Sequence, residues 1–386
     1  MFLMHKVGRS MQNFPRTLRE NVHMTPVRTA VVGFGLAGRL FHCPFLAAVP
    51  GIELTTIVQR SGTSASTAYP QARVISAVDE VLGDPAIDLV VIATPNQTHY
   101  SLARAALLHD KHVVIDKPFT ATSLEARQLI QLASERGRVL APFHNRRYDA
   151  DFLTLRKVLA EGRLGRLTAA FSNFDRYRPM LRPNSWKEAT GPASGLLYDL
   201  GPHLLDQALA LFGQPQQIEG SVRSERDGTD IDDAFTLVLL WNGVDGTPGL
   251  RYTCAATLLA AEAAPRFRVN GTFGSFVKYG LDPQEAALHA GRRPPTLESA
   301  EAWLPEDPSA WAQLTTVANP SDPASLTSSR YPSVTGDYRQ FYVGVRDAIQ
   351  HGTALPIPAE EGYRVVRLLE LARESSERMQ AITVEL

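Results

Sequence analysis

The strand expected over Thr29–Phe34 runs straight into Gly33-Phe34-Gly35-Leu36-Ala37-Gly38, a G-x-G-x-x-G. No other feature of the chain narrows its fold so far. The first glycine permits a tight turn, the second lets backbone approach a pyrophosphate, and the third lets the following helix pack on the strand. The start of that helix offers unpaired N–H groups to an anion. A lone match of this kind is weak. Here a strand precedes it, a helix follows, and a second strand, Glu53–Val58, arrives on schedule. The run therefore reads as a dinucleotide-binding loop and not as a merely structural glycine turn. Pro44, a few residues into the helix, has no N–H to give and is expected to split it, a new segment starting near that proline.

Further Val- and Ile-rich runs follow at Asp88–Ala93, His112–Asp116 and Arg138–Pro142, with a weaker one at Arg73–Ala77. Helical spacing lies between them, as at Tyr100–Leu108 and Leu124–Arg136. Such alternation is the mark of a doubly wound parallel sheet, buried on both faces. After Asp149 the rhythm changes. One helix over Asp151–Leu159 precedes strand-like runs at Leu167–Phe174, Ile218–Arg223, Ala234–Trp241, Leu250–Leu258 and Phe267–Tyr279. The fold class is thus α/β: a Rossmann-type domain over 25–148, then an α+β domain over 149–386 with a mostly antiparallel, open sheet. The Pro- and Ser-rich stretch Arg292–Pro332 reads as irregular surface. An amphipathic helix over Tyr363–Met379 closes the chain and is expected to reach back to the first domain. Residues 1–24 carry scattered positive charge and no apolar middle, so they read as a disordered extension, with Met24 an alternative start.

With 39 Lys and Arg against 40 Asp and Glu, the net charge of −1 offers no footprint for nucleic acid or an anionic membrane. No run approaches the length of a spanning helix. Cys43 and Cys254 lie far apart and match no metal spacing, so no metal site is expected and a reducing cytoplasm is the natural setting.

The end of the second strand bears on the choice of cofactor. An NAD site places Asp or Glu there for the ribose 2′-hydroxyl. This chain has no acid between Glu53 and Asp79, and Arg60 followed by Ser61 and Thr63 suits a 2′-phosphate. NADP is therefore favoured over NAD, against the reading of Arg60 as a solvated arginine stacked on adenine.

Two loops should overhang the cofactor at the carboxyl ends of the strands: Thr94-Pro95-Asn96-Gln97-Thr98-His99 and Asp116-Lys117-Pro118-Phe119. A lysine just past a buried strand is out of its ordinary home on exposed helix faces. Either its ammonium is aimed at a substrate oxygen with Asp116 anchoring it, or Asp116 and Lys117 form a structural pair. In the second domain, Asp199, His203 and Asp206 are four and three apart and share a face if helical. If Pro202 starts the helix, Asp199 precedes it; in both arrangements Asp199 is close enough to orient His203. An imidazole accepts a hydroxyl proton near neutral pH. Asp206 reads as framework.

Taken together, the glycine loop, Asp116-Lys117-Pro118 and the run Tyr198–Gln207 resemble the glucose-fructose oxidoreductase/inositol dehydrogenase (Gfo/Idh/MocA) family. The resemblance spans Val27–Val384. Phe41-His42-Cys43-Pro44, Phe143–Tyr148 and Lys278–Glu285 resemble a bacterial subgroup that includes NADP-dependent scyllo-inositol dehydrogenases, in which the usual glutamate before the lysine is aspartate. The resemblance implies a catalytic lysine at Lys117, an Asp/His pair at Asp199 and His203, and a nicotinamide ribose lined by Thr94, Pro95 and Asn96. It also implies dimers or tetramers through the second sheet. The expected activity is hydride exchange between a polyol or sugar and the cofactor: His203 takes the hydroxyl proton, Asp199 stabilises the imidazolium and Lys117 holds the oxygen. His99 is placed with the cofactor-binding residues. Candidates for substrate contact are Asn145 and Arg147 after the sixth strand, and Asp175, Arg176 and Trp186 in the second domain. The arginines equally suit salt bridges between domains or subunits. The rival readings are a glycosidase acting through transient oxidation, which needs tightly held NAD, and a catalytically idle NADP sensor.

Overall fold

The computed structural model describes residues 25–182, 188–243 and 246–386. Six strands build the first sheet: β1 (Val27–Val32), β2 (Ile52–Val58), β3 (Arg73–Ile75), β4 (Leu89–Ile92), β5 (His112–Ile115) and β6 (Leu140–Pro142). All are parallel, in the order β3-β2-β1-β4-β5-β6. The order reverses between β1 and β4, where doubly wound sheets open a crevice for ligands.

Both faces of this sheet are buried, and the two-residue period of a strand sorts the side chains between them. Val31, Leu89 and Val91 face a core completed by Phe45 and Leu46 of helix Cys43–Ala48 and by Phe341, Tyr342 and Val345 of helix Arg339–His351. Ala30, Val32, Val90 and Ile92 face the opposite core, with Ala103 and Leu107 of helix His99–Leu108 and Leu129 of helix Ser123–Arg136. The last of these helices starts at a reciprocal cap between Thr122 and Glu125 and stops at Gly137, φ 59°. Tyr363 and Val366 of the long helix Ala359–Arg378 join the same core, while Leu368 and Leu369 on that helix pack into the second domain.

The second sheet has nine strands: β7 (Leu167–Asn173), β8 (Gln217–Arg223), β9 (Ala234–Trp241), β10 (Leu250–Thr257), β11 (Phe267–Gly271), β12 (Gly274–Lys278), β13 (Ala312–Val317), β14 (Leu326–Tyr331) and β15 (Ile382–Thr383). Their order is β14-β13-β12-β11-β7-β10-β9-β8-β15, antiparallel except for β7 beside β10. Helix Gly195–Phe212 lies on this sheet and crosses helix Ala359–Arg378 where Gly201 abuts Leu369.

Two expectations are corrected. Phe267–Tyr279 is not one strand but a hairpin, turned at Thr272 and Phe273 between two glycines. Arg292–Pro332 is not wholly irregular, since it contains β13 and β14. These strands lie at the sheet's edge. Only Ala312 and Leu314 on β13 are buried and no β14 residue is, so their polar composition looks like that of a loop.

Candidate active site

Strands β1, β4 and β5 end in register, and the loops after them form one rim. Gly33 N–H donates to Val58 O, Ala93 N–H to Val32 O, and Asp116 N–H to Ile92 O. Gly33 sits at φ 102°, and a Cβ there would lie 2.5 Å from Ala93 O, so the turn admits only glycine. A Cβ on Gly38 would lie 2.0 Å from Gly33 O, which closes the loop on itself. A Cβ on Gly35 would meet nothing within 4 Å, because that glycine faces the open cleft. The helix then begins as a wide turn, Gly38–His42, with Cys43 N–H reaching back to Gly38 O, and restarts as an α-helix with Pro44 in its first turn. Pro44 has no N–H to continue the ordinary ladder, and wide turns of this kind occur often at functional sites. The loop therefore fits a dinucleotide: open backbone at Gly35 beside a helix start.

At the end of β2, Gln59 pins the next loop by bonding Ser61 O, Ser64 Oγ and Ala65 N–H. Arg60 and Ser61 stand exposed beside it, and no acidic group pairs with Arg60 among the described residues.

The chemical centre joins the two domains. Lys117 Nζ donates to Asp199 O at 2.5 Å and to Asp199 Oδ1 at 2.9 Å. Both side chains are about four-fifths buried, at 19% and 24% exposure. Asp199 lies within helix Gly195–Phe212, which continues through Pro202. Proline supplies no N–H there and crowds the turn before it, and in that turn the Asp199 carbonyl is reached by Lys117. The Lys117–Pro118 bond is cis. Asp116 accepts from Lys117 N–H at 2.8 Å and lies 3.8 Å from His42 Nε2. Burial alone would raise the Asp116 carboxyl, but His42, Lys117 and His99 outweigh it and hold it below the usual range.

His203 follows Asp199 by one helical turn. It is 6% exposed and stacks on Phe174 with ring centroids 6.3 Å apart. Burial, then Lys117, Arg146 and His144, push its imidazole well below the ordinary histidine range; Asp199 opposes them. Its Nδ1 is sealed without a partner. The expected Asp199–His203 hydrogen bond is therefore absent. Asp199 turns its Oδ1 to Lys117, because a lysine ammonium offers the stronger, charge-assisted bond.

Other expected site residues separate into groups. Thr94 Oγ1 bonds Thr98 Oγ1, Pro95 O accepts from Thr98, and Asn96 Nδ2 reaches across to Ala193 O just before helix Gly195–Phe212. Leu36 lies exposed at the loop, next to Phe34 and Ala37 on its inner side. His99 is corrected: it is fully buried, its ring nitrogens facing Pro118 O at 2.8 Å and Thr94 O at 2.9 Å, so it ties the two loops together and has no face for a cofactor. Arg147 is corrected likewise. Its guanidinium is held by Asp206, at 2.8 and 2.6 Å, and by Glu361. Asp175 accepts from Ala264 N–H and steadies a loop. Arg176 lies over Phe174 with its guanidinium 4.0 Å from Asp199 Oδ2. Asn145 is 5% exposed, and its side chain has no hydrogen-bond partner among the described residues. Trp186 lies outside the described residues.

Sequence reasoning missed Phe174, which carries Arg146, Arg176 and Arg266 around its ring at 4.8 to 5.3 Å besides His203. An apolar residue at a strand end signals only core. It also gave no role to Lys278, Asp282 and Gln284. Lys278 is fully buried against Glu306, Asp282 caps helix Pro283–His289 and accepts from Ala150 N–H, and Gln284 accepts from Trp303 and Tyr338. All three are framework. Among the described residues no His, Cys, Asp or Glu cluster could hold a metal ion, and no helix is long and apolar enough to cross a membrane.

A glycine loop on a doubly wound sheet, beside a lysine of the same domain that pairs with an aspartate of a second α/β domain, defines an oxidoreductase with an NAD(P)-binding fold. The chain belongs to the Gfo/Idh/MocA family: residues 27–144 match its NAD-binding Rossmann domain and residues 156–386 its C-terminal alpha/beta domain. It is 41% identical over 350 residues to the oxidoreductase YdgJ of Escherichia coli (strain K12), covering 91% of this chain and 96% of that one. It is 36% identical over 359 residues to the scyllo-inositol 2-dehydrogenase (NADP(+)) IolW of Bacillus subtilis (strain 168), covering 93% and 96%. The solved structure of the oxidoreductase yvaA from Bacillus subtilis superposes with a TM-score of 0.87 at 36% identity, over 94% of this chain and 99% of that one.

Proposed function

We propose that this protein is an NADP-dependent dehydrogenase that oxidises a hydroxyl-bearing carbon of a cyclic polyol or sugar, or reduces the corresponding ketone. The observation that carries the reading is the Lys117–Asp199 pair with His203 one turn away, at the rim where the glycine loop opens. Gly33 to Gly38 would hold the pyrophosphate, and Thr94, Pro95 and Asn96 the nicotinamide end. A bound nicotinamide supplies the hydride acceptor or donor.

The chain's own residues do the proton and charge work. His203, kept neutral by burial and neighbouring cations, takes the hydroxyl proton. Lys117 holds the oxygen as negative charge develops on it, an electrostatic role. Asp199 fixes Lys117 through two hydrogen bonds, a role that replaces the imidazolium partner expected from the sequence. Asn145, nearly buried and without a side-chain hydrogen bond among the described residues, and Arg176 are the side chains best suited to substrate hydroxyls.

Support for NADP comes from exposed Arg60 and Ser61, the absence of an acid between Glu53 and Asp79, and the cofactor in IolW's name. The test is absorbance at 340 nm with inositol isomers, inososes and aldoses, run with NADP and NAD in parallel. NADP should support at least tenfold higher kcat/KM, and Arg60→Ala should erase most of that preference. Turnover with NAD alone would overturn the cofactor assignment, and silence with every pair the activity.

A further inference from the structure

The cleft beside Asp199 carries more positive charge than a neutral polyol needs. The segment after β7 brings Arg176, Arg178 and Arg182 to a depression that Asn96 and Asp199 also line. Four acids lie in the same depression, but each is engaged elsewhere. Asp233 and Glu188 are taken by Arg226, at 2.7 and 2.8 Å. Asp232 caps helix Gly195–Phe212 through Leu197 N–H and bonds Arg373. Asp199 belongs to Lys117.

That leaves three guanidiniums without a close carboxylate partner, with Asp199, Glu285 and Glu188 acting on them only at longer range. Among the described residues no carboxylate lies within 4.0 Å of the guanidinium of Arg178 or Arg182, and that of Arg176 only just reaches Asp199 Oδ2 at that distance. Glu188 meets Arg182 only at its backbone N–H, 3.3 Å away. The arginines also feel one another. The Arg178 guanidinium is pushed down by burial, then by the charges of Arg176 and Arg182, against the weaker pull of Asp199 and Glu285. Arg176 is partly buried, whereas Arg178 and Arg182 are exposed at the mouth of the depression, open to an incoming ligand; forked guanidiniums there match the oxygens of phosphate or carboxylate. The cofactor's own phosphates do not account for this charge. Its pyrophosphate belongs at the glycine loop and its 2′-phosphate at Arg60, whereas these arginines adjoin Asp199 at the chemical end.

We propose that the substrate is an anionic polyol, bearing a phosphate or carboxylate that Arg178 and Arg182 bind while Arg176 lies between them and the reacting carbon. This rests on the dehydrogenase reading above. It assigns the arginines a purpose in substrate selection, and it sets the order of discrimination: a neutral inositol is a poor stand-in for the true substrate.

The experiment has two arms on the full-length protein. In the first, inorganic phosphate is titrated calorimetrically with NADP in excess, so that the glycine loop and Arg60 are already occupied. The wild type should bind phosphate, and R178Q/R182Q should weaken that binding by roughly tenfold or more while its melting temperature stays put. In the second, kcat/KM is compared for a neutral polyol, its phosphate ester and the matching sugar acid. An anionic form should exceed the neutral one by roughly tenfold or more, and R178Q/R182Q should collapse the ratio towards one. The better of the two anions identifies the group. A wild-type ratio at or below one overturns the proposal, as does phosphate binding that is lost in Arg60→Ala and kept in R178Q/R182Q. If no compound turns over but phosphate binding still depends on Arg178 and Arg182, the dehydrogenase reading fails and the anion site stands.

Discussion

Replacing Lys117 with methionine removes one charge and almost no volume, which makes it the sharpest probe of the centre. An ammonium has three N–H donors. Two go to Asp199, at 2.5 and 2.9 Å, so one is left for a substrate oxygen. Loss of a preorganised donor at a developing oxyanion costs about 10²- to 10³-fold in kcat, or roughly 3–4 kcal/mol. Because that contact strengthens only as charge develops, kcat and kcat/KM should fall together. The cofactor's pyrophosphate end is untouched, so NADP affinity measured by fluorescence titration should stay within about threefold, well under 1.4 kcal/mol.

The same variant carries a second signature. The Lys117 charge is, after burial, the largest influence pushing His203 below the ordinary histidine range. Without it the His203 pKa rises, and the acid limb of the pH profile for polyol oxidation moves upwards. A structural lysine would produce neither the parallel fall in kcat nor that displacement. The reasoning is refuted if K117M keeps kcat within tenfold, or if NADP binding collapses while the residual activity retains the wild-type acid limb.

Three further outcomes are expected. In the wild type, the acid limb of kcat/KM for oxidation should lie below about pH 6.5, the ordinary histidine value, since His203 is held neutral there; a limb centred above it would remove His203 as the base. Gly35→Ala should leave the melting temperature unchanged, because its Cβ meets nothing within 4 Å, yet raise the NADP dissociation constant by about tenfold; Gly38→Ala, 2.0 Å from Gly33 O, should lower both stability, by about 1–3 kcal/mol, and affinity. Stability should fall with acid through His112, whose imidazole burial and Arg138 push down to about 4 and whose Nδ1 accepts from Val139 N–H. A lowered folded pKa means that the unfolded chain binds the proton first, so this contribution is intact above about pH 6.5 and lost as pH drops towards 4, about 2 kcal/mol by pH 5. Urea titrations at pH 7.5 and 5.0 should show a loss of stability larger by that increment in the wild type than in His112→Asn; equal losses in both would count against it.

Much of this protein is legible in its sequence. Local rules wrote the first domain: period-two Val and Ile runs, a glycine turn between β1 and its helix, and a proline that restarts that helix at Cys43. Each depends on neighbours a few residues away, so the chain states it directly. The edge strands β13 and β14 were not legible, because a strand with few buried side chains has the composition of a loop. Nor was the hairpin at Thr272 and Phe273, since two strands joined by so short a turn read as one apolar run.

At the centre the division is sharper. Sequence nominated Lys117, Asp199 and His203 as a group, because a lysine past a strand and an Asp and His one turn apart are unusual local events. Tertiary structure alone decided who partners whom. Asp199 bonds Lys117 from 82 residues away and leaves His203 on the Phe174 ring, His99 is consumed by two carbonyls, and Arg147 is surrendered to Asp206 and Glu361. Hydrogen bonds and ion pairs are won by whichever partner arrives at the right distance and desolvation. That competition runs between segments far apart in the chain, so residue type alone does not predict it.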